Sequence, residues 1–167
     1  MPEGVGKGYV RMRLMDFIVK DAVVADLKAT SARGAVDEMV AALVKAKAIS
    51  ESSRRKVVDA IMKREKKGTT GFGNGVAIPH AKHEGVRGVI GAVAVSRKGV
   101  DFAALDRQPV HLLFLLLSNP EEPEAHLKAM EHIFRCIKND TLRRFMCQAA
   151  TREDLLDVLH EADEELG

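Results

Sequence analysis

The segment that most clearly suggests chemistry is GFGNGVAIPHAK at residues 71–82, where glycines and a short apolar run lead to His80. Pro79 precedes the histidine, and because proline has a fixed φ, the backbone that carries the imidazole is stiff. Glycines allow another molecule to approach closely, and free loop N–H groups can bind an anion. An imidazole beside such donors suits phosphoryl transfer through a phosphohistidine. The competing interpretation is a histidine fixed in a tight turn.

Two further residues could assist His80. His126 is expected in the first turns of a helix, where partial positive charge favours a neutral, hydrogen-bonding ring; a helix-surface histidine is the alternative. Arg64 could hold phosphate oxygens bidentately. Spacing alone does not distinguish it from the other bases of the helix at 52–67, which carries seven basic and two acidic side chains. That helix is otherwise interpreted as a solvated face, and its role stays open.

Other chemistries fit the sequence less well. His80 and His83 could offer two zinc ligands, but no Cys, Asp or further His lies close enough in sequence to complete the site, so no metal is expected. The glycines precede a strand rather than a helix, and no phosphate-loop Lys-Ser or Lys-Thr is present, so no nucleotide cofactor is expected. Cys136 and Arg143 have the wrong spacing for a cysteine phosphate loop, and Cys136 is predicted to be core. The remaining histidines are predicted to be structural or solvent-facing: His83, His111, His132 and His160.

Composition indicates an ordinary globular chain with an aliphatic core. The 167 residues are 46% hydrophobic, and a formal charge of +2 is too small to mark a nucleic-acid binder. No apolar run approaches the roughly 18 residues of a membrane span, and the N-terminus lacks the features of a signal peptide. Two cysteines in apolar helical patterns fit a reducing cytoplasm, so we expect a cytoplasmic protein. Residues 1–9 are predicted to be a disordered leader, and residues 10–167 a single domain.

The apolar periodicity predicts helices and doubly covered strands. The segment at 10–27 is ambiguous, and 68–75 is predicted to be a loop with unusual backbone angles. The continuous apolar runs favour strands that are buried on both faces, and hence a three-layer α/β sandwich: a small mixed, mostly parallel sheet with helices on both faces. Helices are predicted at 31–47, 53–67, from about 120, at 141–149 and at 151–164, and strands at 76–78, 89–95 and 110–117. The helix after residue 120 has a predicted buried stripe of Leu127, Met130, Ile133, Phe134 and Ile137.

The motif around His80 also resembles a known family. GNGVAIPHAK at 73–82 closely resembles the phosphorylation-site segment of fructose/mannitol-type (type 2) enzyme IIA domains of the bacterial phosphoenolpyruvate-dependent sugar phosphotransferase system, which include the nitrogen-regulatory enzyme IIA proteins. The resemblance continues through AVSRKGVDFAALDRQPVHLLFLLLSNP and EAHLKAMEHIFRCI, and covers roughly residues 12–163.

The resemblance implies roles for the three candidate residues. His80 would accept a phosphoryl group from the phosphohistidine of the carrier HPr and pass it onward, His126 would support the active-site ring, and Arg64 would steady the phosphoryl group. Transfer between two phosphohistidines needs positioning and charge stabilisation, and no metal is implied. The implied fold, a mixed sheet between helical layers, agrees with the architecture predicted above.

The resemblance leaves the receiving protein open. Sugar-specific members are often fused to a IIB domain and a membrane IIC domain; this sequence contains neither, so a separate IIB protein of fructose/mannitol-type uptake is the expected acceptor. The alternative is a nitrogen-regulatory module whose phosphorylation state sets which protein it binds. A third possibility is a degenerate domain that no longer transfers phosphate, against which the intact motif argues.

Overall fold

The computed structural model describes residues 12–166, so the predicted leader at residues 1–9 lies outside the described residues. A mixed six-stranded sheet is covered by helices on both faces, which confirms the predicted α/β class. The strands are β1 (Ile18–Val24), β2 (Gly71–Gly73), β3 (Val76–Ala77), β4 (His80–Lys82), β5 (Val89–Val100) and β6 (Val110–Ser118). The helices are α1 (Leu14–Phe17), α2 (Ala32–Lys45), α3 (Arg54–Lys67), α4 (Pro123–Ile137), α5 (Asp140–Gln148) and α6 (Arg152–Leu166), with a 3-10 turn at Glu51–Ser53.

The sheet order is β1-β5-β6-β3-β2, with β4 also paired to β6. Only β5–β6 and β2–β3 pair antiparallel; β1 runs parallel to β5, and β3 and β4 run parallel to β6. The two short strands keep one register along β6, since Ala77 lies opposite Leu113 and His80 opposite Leu116. They are therefore one strand, interrupted just before the histidine by Pro79, which has no N–H for the ladder.

Buried side chains alternate between two cores, one on each face of the sheet. One core lies under α1 and α4–α6, and the other under α2 and α3. Because both faces of the central strands are covered, these strands are apolar at successive positions rather than at alternate ones. In β6 the first core receives Leu112, Phe114 and Leu116, and the second receives Leu113, Leu115 and Leu117. Within residues 12–166, none of the helices is long and apolar enough to cross a membrane.

The glycine-rich stretch at 68–75 is more regular than the predicted loop. It contains β2, which forms a hairpin with β3, and the left-handed backbone angles occur at the turn: φ is 110° at Gly73, 56° at Asn74 and 75° at Gly75. At Gly71 a side chain would be excluded by packing, because a Cβ would lie 2.8 Å from the Cβ of Ala104. The glycines therefore build a tight hairpin beside the histidine strand.

Two predictions about α4 are corrected. The helix begins at Pro123 rather than near Pro120, because the chain first makes a turn in which the N–H of Glu122 donates to the carbonyl of Asn119 at 3.0 Å. Leu127, predicted to belong to the buried stripe, is 61% exposed. Met130 and Phe134 are partly buried, and the buried line of the helix consists of Ala129, His132, Ile133, Cys136 and Ile137.

The segment that the sequence left ambiguous contains α1 and β1, and a buried carboxylate on α6 holds it in place. Asp163 accepts hydrogen bonds from the backbone N–H groups of Leu14 at 2.7 Å and Met15 at 3.1 Å. The same carboxylate lies 3.3 Å from Nε2 of His132, which is also buried. A single acidic side chain therefore joins α6, α4 and the start of the described chain.

Replacing Asp163 with Ala should lower the free energy of unfolding by about 2 kcal/mol or more, because buried donors lose their acceptor. Urea denaturation followed by circular dichroism measures the change. The control is Glu164→Ala at the exposed neighbouring position, for which a change within about 0.5 kcal/mol is expected. Equal stability of the two variants would contradict this role for Asp163.

Candidate active site

His80 is the first residue of β4, and its ring is half buried. Its Nδ1 lies 2.8 Å from the carbonyl oxygen of Ile78. Because a carbonyl only accepts hydrogen bonds, Nδ1 must be the donor and carry the proton. In the neutral ring the lone pair is therefore on Nε2, so Nε2 is the ring atom that could act as a nucleophile.

The strand explains why the Ile78 carbonyl can receive this bond. The Ile78 N–H donates to the carbonyl of Thr70 at 3.1 Å, on the side away from β6. In an extended residue the N–H and C=O point to the same side, so the Ile78 carbonyl also points away from β6 and past the end of β2. The next carbonyl, that of Pro79, points to β6 and accepts from Leu116 at 3.0 Å. The Nδ1–H of His80 thus supplies to this carbonyl the hydrogen bond that a neighbouring strand would otherwise donate.

His126 lies beside His80. Their ring centroids are 5.5 Å apart, with an angle of 47° between the ring planes. His80 points to the face covered by α4, as does Leu116 opposite it, and His126 is the fourth residue of that helix. The structure therefore brings together two of the three residues that the sequence suggested.

Ser118 fixes the orientation of the second ring. It ends β6 on the same face as His80, is almost fully buried, and places its Oγ 2.5 Å from Nδ1 of His126. We assign the hydroxyl as the donor: if it accepted instead, its own buried proton would have no acceptor among the described contacts. Nδ1 of neutral His126 then accepts, and its Nε2 carries an N–H.

The surroundings of His126 disfavour its charged form. Burial is the main reason that the pKa of His126 is lowered, followed by the charges of His80 and Lys82. The sequence predicted a neutral ring from the partial positive charge of a helix N-terminus, whereas burial is the main cause in the structure. A neutral His126 can donate a hydrogen bond from Nε2 while it accepts one at Nδ1.

Arg64 is not joined to either histidine by a hydrogen bond within the described residues. Its Nη1 donates to the carbonyl of Gly68 at 2.8 Å, just past the end of α3. The neighbouring Glu65 accepts from both the N–H and the hydroxyl of Thr70, whose carbonyl in turn accepts from Ile78. The end of α3 is thus tied to the strand that carries the histidine, and α3 packs against β4.

Three polar residues that shape the site escaped the sequence analysis: Ser118, Asn119 and Glu122. Asn119 donates from Nδ2 to the carbonyl of Val86 at 2.7 Å, and Glu122 accepts from the N–H of Gly88 at 2.5 Å. The hydrogen bonds of Asn119 and Glu122 attach the loop after β4 to the start of α4. The only sequence signal for them is their position between an apolar strand and a helix-starting proline, which does not reveal what they bind.

Among the residues predicted to be structural, His111, His132 and Cys136 have structural surroundings. Nδ1 of His111 lies 2.7 Å from the carbonyl of Ser96, and His132 is buried against Asp163. Cys136 is fully buried, and burial raises the pKa of its thiol to about 12, so it is a core residue rather than a nucleophile.

Comparison with known proteins identifies the family. Residues 16–162 match the family model described as phosphoenolpyruvate-dependent sugar phosphotransferase system, EIIA 2. The chain belongs to this family. Its members are phosphotransferase components that carry a phosphoryl group on a histidine.

Relatives with two kinds of name match this enzyme IIA chain. The nitrogen regulatory protein of Bradyrhizobium diazoefficiens is 32% identical over 89% of this chain and 95% of its own length. The fructose-specific EIIABC component of Bacillus subtilis is 29% identical over 91% of this chain, which spans only 24% of that protein. The crystal structure of nitrogen regulatory protein IIA-Ntr from Neisseria meningitidis superposes with a TM-score of 0.76 and 28% identity, over 86% of this chain and 97% of that one.

The pKa of His126 should lie below the roughly 6.5 of an unperturbed histidine. As pH falls through that value, the unfolded ring binds a proton before the folded one does, so the free energy of unfolding should decline until the folded ring is protonated too. Replacing Lys82 with Met should raise the pKa of His126, because one repelling charge is removed.

Two-dimensional NMR of the histidine rings across pH measures this titration. The matched control is Lys138→Met, an exposed lysine at the opposite end of α4 that should leave the His126 pKa unchanged. A His126 that titrates above 6.5, or that responds equally to both substitutions, would refute this electrostatic picture.

Proposed function

We propose that this chain is a phosphohistidine carrier that accepts a phosphoryl group from phospho-HPr on Nε2 of His80 and passes it to a separate IIB protein of fructose/mannitol-type sugar uptake. The observation that carries the proposal is the Nδ1–Ile78 hydrogen bond, because it directs the lone pair of His80 to Nε2. Family membership supplies the reaction class.

The hydrogen bond to Ile78 also suits reversible transfer. The Nε2 lone pair of His80 attacks phosphorus, a new N–P bond forms, and the N–P bond of the donor histidine breaks and returns its electron pair to the donor ring. Nδ1 keeps its proton, so the phosphorylated ring of His80 carries a positive charge that its carbonyl partner stabilises. A cationic ring is a good leaving group, which keeps the phosphoryl group transferable.

His126 and Arg64 would stabilise the group in transit. With Ser118 donating to Nδ1, the Nε2–H of His126 is free to donate to a phosphoryl oxygen beside His80. Arg64 would exchange its bond to the Gly68 carbonyl for phosphoryl oxygens, to which guanidinium binds in a bidentate manner. Ser118 thus acts as a positioning residue, through His126.

The alternative is a nitrogen-regulatory module, in which phosphorylation of His80 selects a partner rather than feeding sugar uptake. The supporting observation is the match to a nitrogen regulatory protein across 95% of that protein. The chemistry at His80 is the same under both functions. They differ only in what the phosphorylated surface binds.

Incubation with phosphoenolpyruvate, enzyme I and HPr should put an acid-labile, base-stable phosphate on the protein, and phosphorus–nitrogen coupling in NMR should locate it on Nε2 of His80. His80→Ala should take no label. Arg64→Ala and His126→Ala should each slow labelling about 100-fold, since each removes one donor to the transferring group.

The controls are Arg55→Ala, an exposed arginine of the same helix, and His160→Ala, an exposed histidine of α6; both should label at the wild-type rate. Equal labelling of His80→Ala, or phosphate on Nδ1, would refute the assignment.

A pull-down from cells of the source organism separates the two functions. Wild type, His80→Ala and His80→Asp are compared as baits, and bound proteins are identified by mass spectrometry. Recovery of a IIB protein supports sugar uptake. Recovery of other proteins whose binding depends on the state of His80 supports the regulatory alternative, and a IIB protein as the sole partner would exclude it.

A further inference from the structure

Several basic side chains of helix α3 form no ion pair with the described part of the chain. Its two acids are engaged: Asp59 forms an ion pair with Arg33 of α2 at 2.5 Å, and Glu65 binds Thr70. Arg54 pairs with Asp37 of α2 at 3.0 Å. Among the described residues, five exposed cations of this helix have no ion-pair partner: Arg55, Lys56, Lys63, Lys66 and Lys67.

Helical geometry divides these cations between two flanks. At 100° per residue, Lys56 and Lys67 fall within about 20° of each other, and Arg64 lies about 60° beyond Lys67, on the side away from Asp59. Arg55 and Lys66 instead fall within about 40° of Asp59, whose partner is on α2, and Lys63 lies between the two groups, about 40° from Asp59. One flank of α3 therefore faces α2, and the other, which we call the edge stripe (Lys56, Arg64 and Lys67), faces away from it.

The edge stripe borders the strand that carries His80. The helix α2 packs on β1 and β5, whereas α3 packs on β4, so the flank of α3 that faces away from α2 lies at the open edge of the sheet beside β4. Lys56 also lies near the residue directly after β4, since its charge is, after burial, the main cause of the lowered pKa of His83. Lys82 adds a further exposed cation on β4 itself.

We propose that the edge stripe is the docking surface for the phosphoryl donor, and that this donor presents an acidic surface beside its phosphorylated residue. The proposal rests on the proposed function of His80. A donor that delivers a phosphoryl group to Nε2 of His80 must come close to the edge of β4. Unpaired cations covered by a neutral or basic surface would lose hydration without compensation, whereas carboxylates would compensate them and speed the encounter.

The test compares two double charge reversals of the same helix. Lys56→Glu/Lys67→Glu inverts the edge stripe, and Arg55→Glu/Lys66→Glu inverts the flank that faces α2. Both pairs are eleven residues apart, are exposed, and change the net charge by the same amount. The donor is the phosphorylated HPr of the source organism, and rapid-quench labelling of His80 gives the second-order rate constant at 50 and 500 mM NaCl.

We expect the edge-stripe variant to be labelled at least 10-fold more slowly than wild type at 50 mM NaCl, with the difference shrinking at 500 mM because salt screens the attraction. The control variant should stay within about 3-fold of wild type. Equal slowing of both variants, no slowing, or faster labelling of the edge-stripe variant would overturn the acidic-donor proposal while leaving His80 as the acceptor. A wild-type protein that takes no label would overturn the proposed function, and the docking surface with it.

Discussion

The site depends on a single backbone constraint: the chain must stay in register along β6 while freeing one carbonyl for His80. Pro79 meets the first requirement, because it continues the extended strand with its fixed φ and its own carbonyl still accepts from Leu116. The second is met at Thr70, whose N–H donates to Glu65 rather than to Ile78. The carbonyl of Ile78, which points away from β6, remains available to Nδ1 of His80. The tautomer of the neutral ring is thus set by the backbone rather than by a second side chain.

The buried strand β6 also positions the second histidine, His126. Because its side chains alternate between two cores, Leu116 and Ser118 share the face covered by α4. The parallel register then puts His80 opposite Leu116, on that same face, and the serine hydroxyl holds His126 from the end of the strand. Shifting β4 by one residue along β6 would turn His80 toward α3 and break the pair.

Sequence patterns could predict the layers of the fold and the pair of histidines. They could not predict the strand β1, the contact of Ser118 with His126 or the exposure of Leu127. The runs at 89–95 and 110–117 indicated strands because burial on both faces demands apolar residues at every position. The strand β1 gave no such signal, since it lies at the sheet edge and is preceded by a one-turn helix whose cap, Asp163, is far away in the chain. Ser118 could not be recognised either, because its role depends on a register that links two distant segments. Leu127 was wrongly placed in the core because the apolar period of α4 continues onto an exposed residue.

The sequence also could not predict which charges of α3 are neutralised by ion pairs. Seven bases on one helix do not reveal which of them the fold neutralises, and the tertiary contacts decide this. The acids of α2 and α3 compensate charge on the flank that faces α2, through the pairs Arg54–Asp37 and Arg33–Asp59. The flank beside β4 has no such compensation within residues 12–166. A carboxylate there would also attract the guanidinium of Arg64 and compete with a phosphoryl group for it. An uncompensated cationic edge is therefore consistent with a histidine whose ligand is an anion carried by another protein.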